Sequence, residues 1–143
     1  MVERLWQLIA ERSVDIVREM ARTEMVAYRV HSLPTQLDGG LDVQMKLVPD
    51  GGGVLLFHFS DAAALALAGG MMREELAVLD DTATSALAEL VNVILGHVSI
   101  AAAQEDIKVG LTPVFVEAGS LPRPQPEVCL VTAAKCLVEV GLK

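Results

Sequence analysis

Ser85, Glu89, Asn92 and Gly96 recur at intervals of four, three and four residues in a segment that is otherwise almost wholly apolar. At about 100° per residue, these four project within roughly 60° of one another on a helix. Leu87, Leu90, Val91, Val93, Ile94, Leu95 and Val98 cover most of the remaining circumference, and a helix so apolar belongs in a core. Its one wet edge therefore carries a carboxylate that accepts hydrogen bonds and a carboxamide that both donates and accepts.

The same stripe would also fit the solvated side of a buried helix. Two details speak for a contact surface instead. Asparagine is a mediocre helix former, and a merely solvated edge favours Lys, Glu or Gln. The flanking Ala88, Gly96, Ser99 and Ala103 are small, so the edge is sterically cleared. Gly96 alone costs about 1 kcal/mol against alanine inside a helix. A flat, cleared edge lets another molecule approach Glu89 and Asn92 closely.

The elements that must hold this helix can be read from pattern. Residues 3 to about 22 form an amphipathic helix, with Leu5, Ile9, Ile16 and Met20 on one face and Arg4, Glu11, Asp15, Arg18, Glu19 and Arg22 wet. A loop with Pro34 and Gly39-Gly40 follows. Strict alternation over Leu41–Leu47 predicts a half-buried strand, the Pro49–Gly53 run a turn, and Val54–Phe59 the returning strand of a hairpin. Ser60 or Asp61 can cap a short alanine-rich helix that Gly69-Gly70 should break. A second short helical stretch, Met71–Leu79, leads to Asp80-Asp81, a natural N-terminus for the long helix, which runs to about Ala103. Strands are expected over Ile107–Glu117, Val128–Ala133 and Cys136–Leu142. The loop after the first of them is stiffened by Pro122, Pro124 and Pro126 and is too short for a domain linker. The fold class is α+β: a mostly antiparallel sheet with helices on one face. The closing strands lack the helical crossovers a parallel sheet requires.

Composition narrows the function. The 143 residues suit one domain, 1–143, with its own core. That core must be built from aliphatic residues, since only 3% are aromatic against 52% hydrophobic. A net charge of −8 with no basic block argues against nucleic acid or anionic lipid as partner. Two cysteines, Cys129 and Cys136, sit in strand-like runs and read as reduced, buried thiols. There is no signal-peptide pattern, and the uninterrupted apolar runs fall short of the ~18 residues of a membrane span. A cytoplasmic domain is expected. His31, His58 and His97 are scattered without ligand spacing, so no metal site is expected. Pro49-Asp50-Gly51-Gly52-Gly53 precedes a strand, not the helix N-terminus a phosphate cradle needs, and no Gly-x-Ser-x-Gly elbow is present.

Ser85-x-x-x-Glu89-x-x-Asn92-x-x-x-Gly96, followed by Thr112-Pro113 in the next strand, resembles the signature of the CheC/CheX/FliY phosphatases of bacterial chemotaxis. CheX is the nearest pattern, a short chain with one Glu-x-x-Asn motif. The element order fits along nearly the whole chain, and residue-level matching is confined to about 80–119. The resemblance implies a CheC-like two-layer fold and hydrolysis of the phospho-aspartate of a CheY-type response regulator. By that resemblance Asn92 orients the attacking water, Glu89 docks a lysine of the regulator, Ser85 and Gly96 support contact, and Pro113 shapes the neighbouring strand. The chain then needs no cofactor of its own, because the divalent metal, such as Mg2+, belongs to the regulator. The resemblance also implies a homodimer paired through sheets, with Cys136–Leu142 as the edge to be covered. The rival reading is a non-catalytic module that binds a receiver domain or a flagellar or signalling complex through the same edge.

Overall fold

The hairpin expected over 41–47 and 54–59 does build the centre of the molecule. In the computed structural model, which describes residues 3–30, 39–48, 52–133 and 137–143, β2 (Leu41–Val48) and β3 (Val54–Phe59) form an antiparallel hairpin. His31, Pro34, Cys136 and the Pro49–Gly51 part of the expected turn lie outside the described residues. Ahead of the hairpin come α1 (Glu3–Ala21) and β1 (Val26–Arg29); after it come α2 (Asp61–Met72) and α3 (Asp81–Gln104). Four strands close the chain: β4 (Gly110–Leu111), β5 (Phe115–Ala118), β6 (Pro126–Val131) and β7 (Leu137–Leu142).

All pairings are antiparallel, in the order β1-β6-β7-β3-β2-β4, with β5 also against β2. The three helices pack on one face of this sheet and on one another, the α+β arrangement expected. Val43, Phe57, Val140, Val128 and Leu130 point from successive strands into one core with Leu8, Ile9, Leu67, Leu90 and Ile94 from the helices. Each such side chain contributes about 1.5–3 kcal/mol on burial.

Several elements differ from the sequence reading. The segment after α1 is not all loop. Val26–Arg29 forms an edge strand on β6; Arg29 ties it to α1 through an ion pair with Glu3 and a stack over Trp6, and to β6 through an ion pair with Glu127 (2.7 Å). Helix α2, capped by Ser60, runs through Gly69-Gly70 to Met72, and Met71–Leu79 is not a second helix. Gly70 lies where a Cβ would come within 1.8 Å of the Ala21 carbonyl oxygen. The glycine thus serves helix packing rather than helix breaking. Leu41–Leu47 is not half-buried: Asp42 and Gln44, on the polar side, are as buried as Val43. His58 Nδ1 donates to Asp42 Oδ1 at 2.6 Å, and Gln44 Nε2 donates to Glu117 Oε2 at 3.0 Å, so burial does not strand these groups. The strand expected over Ile107–Glu117 is two strands. β7 is not an edge, because it lies between β6 and β3. Cys129 is a buried free thiol, as read, and burial pushes its pKa up.

Candidate functional site

Helix α3 owes its start to Asp80, whose carboxylate accepts from the Ala83 amide at 2.8 Å. Such caps are worth about 1 kcal/mol. Ala83, Leu87, Leu90, Val91, Ile94, Leu95, Val98, Ala101 and Ala102 are buried. By length and composition α3 could cross a membrane; here its apolar side is packed against α1, α2 and the sheet. Its C-terminal end is fastened twice. Arg4 of α1 grips the Glu105 carboxylate through Nε (2.8 Å) and Nη2 (2.9 Å), which holds that carboxyl below its usual range. The Ser99 hydroxyl donates to the Val109 carbonyl at 3.2 Å. The helix is a fixed platform.

On that platform Ser85, Glu89 and Asn92 are exposed and Gly96 is half-buried, along one edge as the 3.6-residue period requires. Glu89 and Asn92 are one turn apart, so their Cβ atoms lie about 5–6 Å from each other. Neither side chain forms a hydrogen bond or ion pair within the described residues. Both functional groups are therefore free for an external partner. A Cβ built on Gly96 would meet nothing within 4 Å, so packing within the chain does not call for a glycine there.

Pro113 lies off the helix, as expected of a residue in the neighbouring strand segment. It is exposed in the break between β4 and β5, both of which contact α3. Leu111 faces Leu47 and Phe115 faces Gln44, so the three residues Thr112–Val114 oppose only Met45 and Lys46, a bulge with one extra residue. Thr112 stands in for the missing ladder: its hydroxyl accepts from the Lys46 amide (3.1 Å) and donates to the Lys46 carbonyl (3.0 Å). Proline, which has no N–H to offer, fits the interruption.

Pattern reading overlooked one residue on this edge. Ile100 follows Glu89 by eleven residues, three helical turns, and projects within about 20° of it. It is 65% exposed.

Among the described residues, one cavity of about 480 Å3 lies by Arg22, Leu65, Gly70 and Arg73, and another of about 430 Å3 by Ala10, Val14 and Ala27. Neither is lined by a stripe residue. Small molecules are bound in concave, largely apolar pockets, so an exposed carboxylate and carboxamide outside these cavities suit a protein surface better. Among the described residues no group of three or more His, Cys, Asp or Glu side chains is placed to hold a metal ion.

The family model described as "Chemotaxis phosphatase CheX" matches residues 43–130, which span β2 to most of β6 and contain the whole stripe and Pro113. The chain belongs to the CheX family. Solved members share its architecture across almost its full length. A CheC-like superfamily protein from Shewanella sp. PV-4 superposes with a TM-score of 0.80 at 15% identity, over 98% of this chain and 96% of that one. CheX from Vibrio vulnificus gives 0.78 at 13% identity, over 98% and 99%. The CheX-CheY-BeF3-Mg2+ complex from Borrelia burgdorferi gives 0.72 at 18% identity, over 94% and 93%. No curated protein matches the chain in sequence. At such identities the likeness shows a shared fold, which in this CheX family member presents the Glu-x-x-Asn edge on α3.

Proposed function

We propose that this chain accelerates hydrolysis of the phospho-aspartate of a CheY-type response regulator. The observation that carries the reading is the pair Glu89 and Asn92: exposed, without partners among the described residues, and one turn apart on an anchored helix. The family's description as a chemotaxis phosphatase and the Borrelia burgdorferi relative's complex with CheY support the choice of substrate.

Hydrolysis needs little from this protein. Water attacks phosphorus in line, the bond from phosphorus to the aspartyl oxygen breaks, and the carboxylate leaves as inorganic phosphate forms. The regulator supplies the acyl phosphate and its divalent metal. Asn92 accepts a hydrogen bond from the water through its carbonyl oxygen and donates from its NH2 toward a phosphoryl oxygen, holding the water in line. Glu89 accepts from a lysine of the regulator and sets the register of docking. Ser85 and Gly96 lie in the contact. The bulge at Pro113 shapes the neighbouring sheet edge. A 100-fold acceleration corresponds to only about 2.7 kcal/mol, within reach of positioning alone. A cytoplasmic location follows from such a partner.

The test is a screen of the source organism's purified receiver domains, phosphorylated in Mg2+, for faster decay when this protein is added. Acceleration of one or a few is expected. Tight phospho-dependent binding with an unchanged decay rate would instead mark a docking module without turnover.

A homodimer is part of the same reading, but its edge must be reassigned. With β7 inside the sheet, β1 ends one side of it and pairs only with β6 among the described residues. Its Val26 and Tyr28 are 68% and 47% exposed, and an uncovered apolar edge invites pairing. Replacing both with lysine is expected to convert a dimer to a monomer in light scattering at micromolar concentration, with the fold retained. A wild-type monomer at that concentration would end this part of the proposal.

A further inference from the structure

Ile100 is poorly explained by the fold. It is β-branched, which a helix tolerates less well than Lys, Glu or Gln. It is largely exposed and stands on the same edge as Glu89. A single exposed aliphatic residue is ordinary on a protein surface. This one has a second peculiarity beside it. One turn back, Gly96 leaves open space where a side chain would meet nothing. Moving along the edge from Asn92, the surface thus offers a carboxamide, a gap and an apolar knob.

The distances decide what covers this knob. Ile100 lies eight residues beyond Asn92, about 12 Å along the helix axis. A stable protein contact covers about 800 Å2 on each partner, equivalent to a disc about 16 Å in radius. A folded domain centred on Asn92 therefore reaches Ile100. A small phosphorylated compound at Asn92 would not.

We propose that Ile100 is an apolar docking residue for the receiver domain whose phosphoryl group is presented to Asn92, with the regulator's backbone lying close over Gly96 and an apolar side chain against Ile100. This rests on the phosphatase reading above and extends it to what selects the regulator. Glu89 and Asn92 read features common to receiver domains, a lysine and an acyl phosphate. Ile100 reads the surface outside the phosphorylation site, where one regulator can differ from another.

The test uses Ile100→Lys and Ile100→Val in the full chain. The regulator is the receiver domain that responds in the decay screen, or the full receiver panel if none does. Binding is measured to receivers loaded with beryllofluoride and Mg2+, and decay to the same domains phosphorylated. Ile100→Lys is expected to weaken binding and raise KM at least 10-fold, with kcat within about twofold of wild type. Ile100→Val is expected to restore most of the affinity. Thermal melting should be unchanged for both, since the side chain is outside the core. Equal binding by wild type and Ile100→Lys overturns the inference, as does a fall in kcat with KM constant. Loss of self-association on Ile100→Lys also overturns it, because the occupant is then a second copy of this chain. If the wild type binds but does not accelerate decay, the phosphatase reading fails while docking through Ile100 stands on the binding result. If the wild type binds no receiver of the panel, both fail.

Discussion

Asn92→Ala is expected to bring decay of the phosphorylated regulator back to its spontaneous rate, a loss of about 100-fold or 2.7 kcal/mol, while affinity for the regulator changes by less than about threefold. The separation follows from where Asn92 sits. Its side chain is exposed and has no hydrogen bond or ion pair among the described residues, so removing it leaves none of their buried groups unsatisfied. Alanine is also the better helix former by about half a kcal/mol, so the melting temperature should hold or rise slightly. Whatever activity disappears therefore disappears from chemistry and not from folding. Glu89→Ala provides the contrast. If Glu89 docks and Asn92 places the water, loss of the carboxylate should appear chiefly in KM and loss of the carboxamide in kcat. Single-turnover decay at saturating and subsaturating protein, with stoichiometric Mg2+ on the regulator, separates the two. Full activity in Asn92→Ala would rule out the mechanism.

The shared edge of the candidate site was legible in the sequence because it depends on a local rule. Ser85, Glu89, Asn92 and Gly96 share an edge by helical period alone, and the apolar circumference of α3 announces which side is buried. Asp80 as cap and the β2–β3 hairpin are likewise local. What escaped the reading depends on contacts between distant segments. β1 has four residues and gains its strand geometry from β6, about a hundred residues later. β7 closes the described chain yet lies in the middle of the sheet, since spatial strand order is set by pairing and not by chain order. Asp42 and Gln44 look like a wet strand face until His58 and Glu117 are placed beside them. Across that face the register sets Tyr28 beside Cys129, Cys129 beside Glu139, Glu139 beside His58, and His58 beside Asp42. No window of eight residues contains that row.

The helical glycines make the same point as a paired prediction of opposite sign. Gly70 and Gly96 both cost their helices about 1 kcal/mol in propensity, and from sequence they look alike. Gly70 faces the Ala21 carbonyl, and a Cβ would come within 1.8 Å of that oxygen. Gly70→Ala must therefore force α2 from α1, for a net loss of about 3 kcal/mol and a drop in melting temperature on the order of 10 °C. Gly96→Ala meets nothing within 4 Å. It should stabilise the protein by about 0.5–1 kcal/mol and raise the melting temperature by a few degrees, yet lower the decay rate at subsaturating regulator. A substitution that improves folding and impairs function can only act on something outside the chain. If Gly96→Ala gains stability and keeps full activity, close approach over this edge is wrong, and the glycine has no role that the fold or the proposed partner explains. Measuring melting and decay on both variants distinguishes a glycine needed for packing within the molecule from one needed for contact with another.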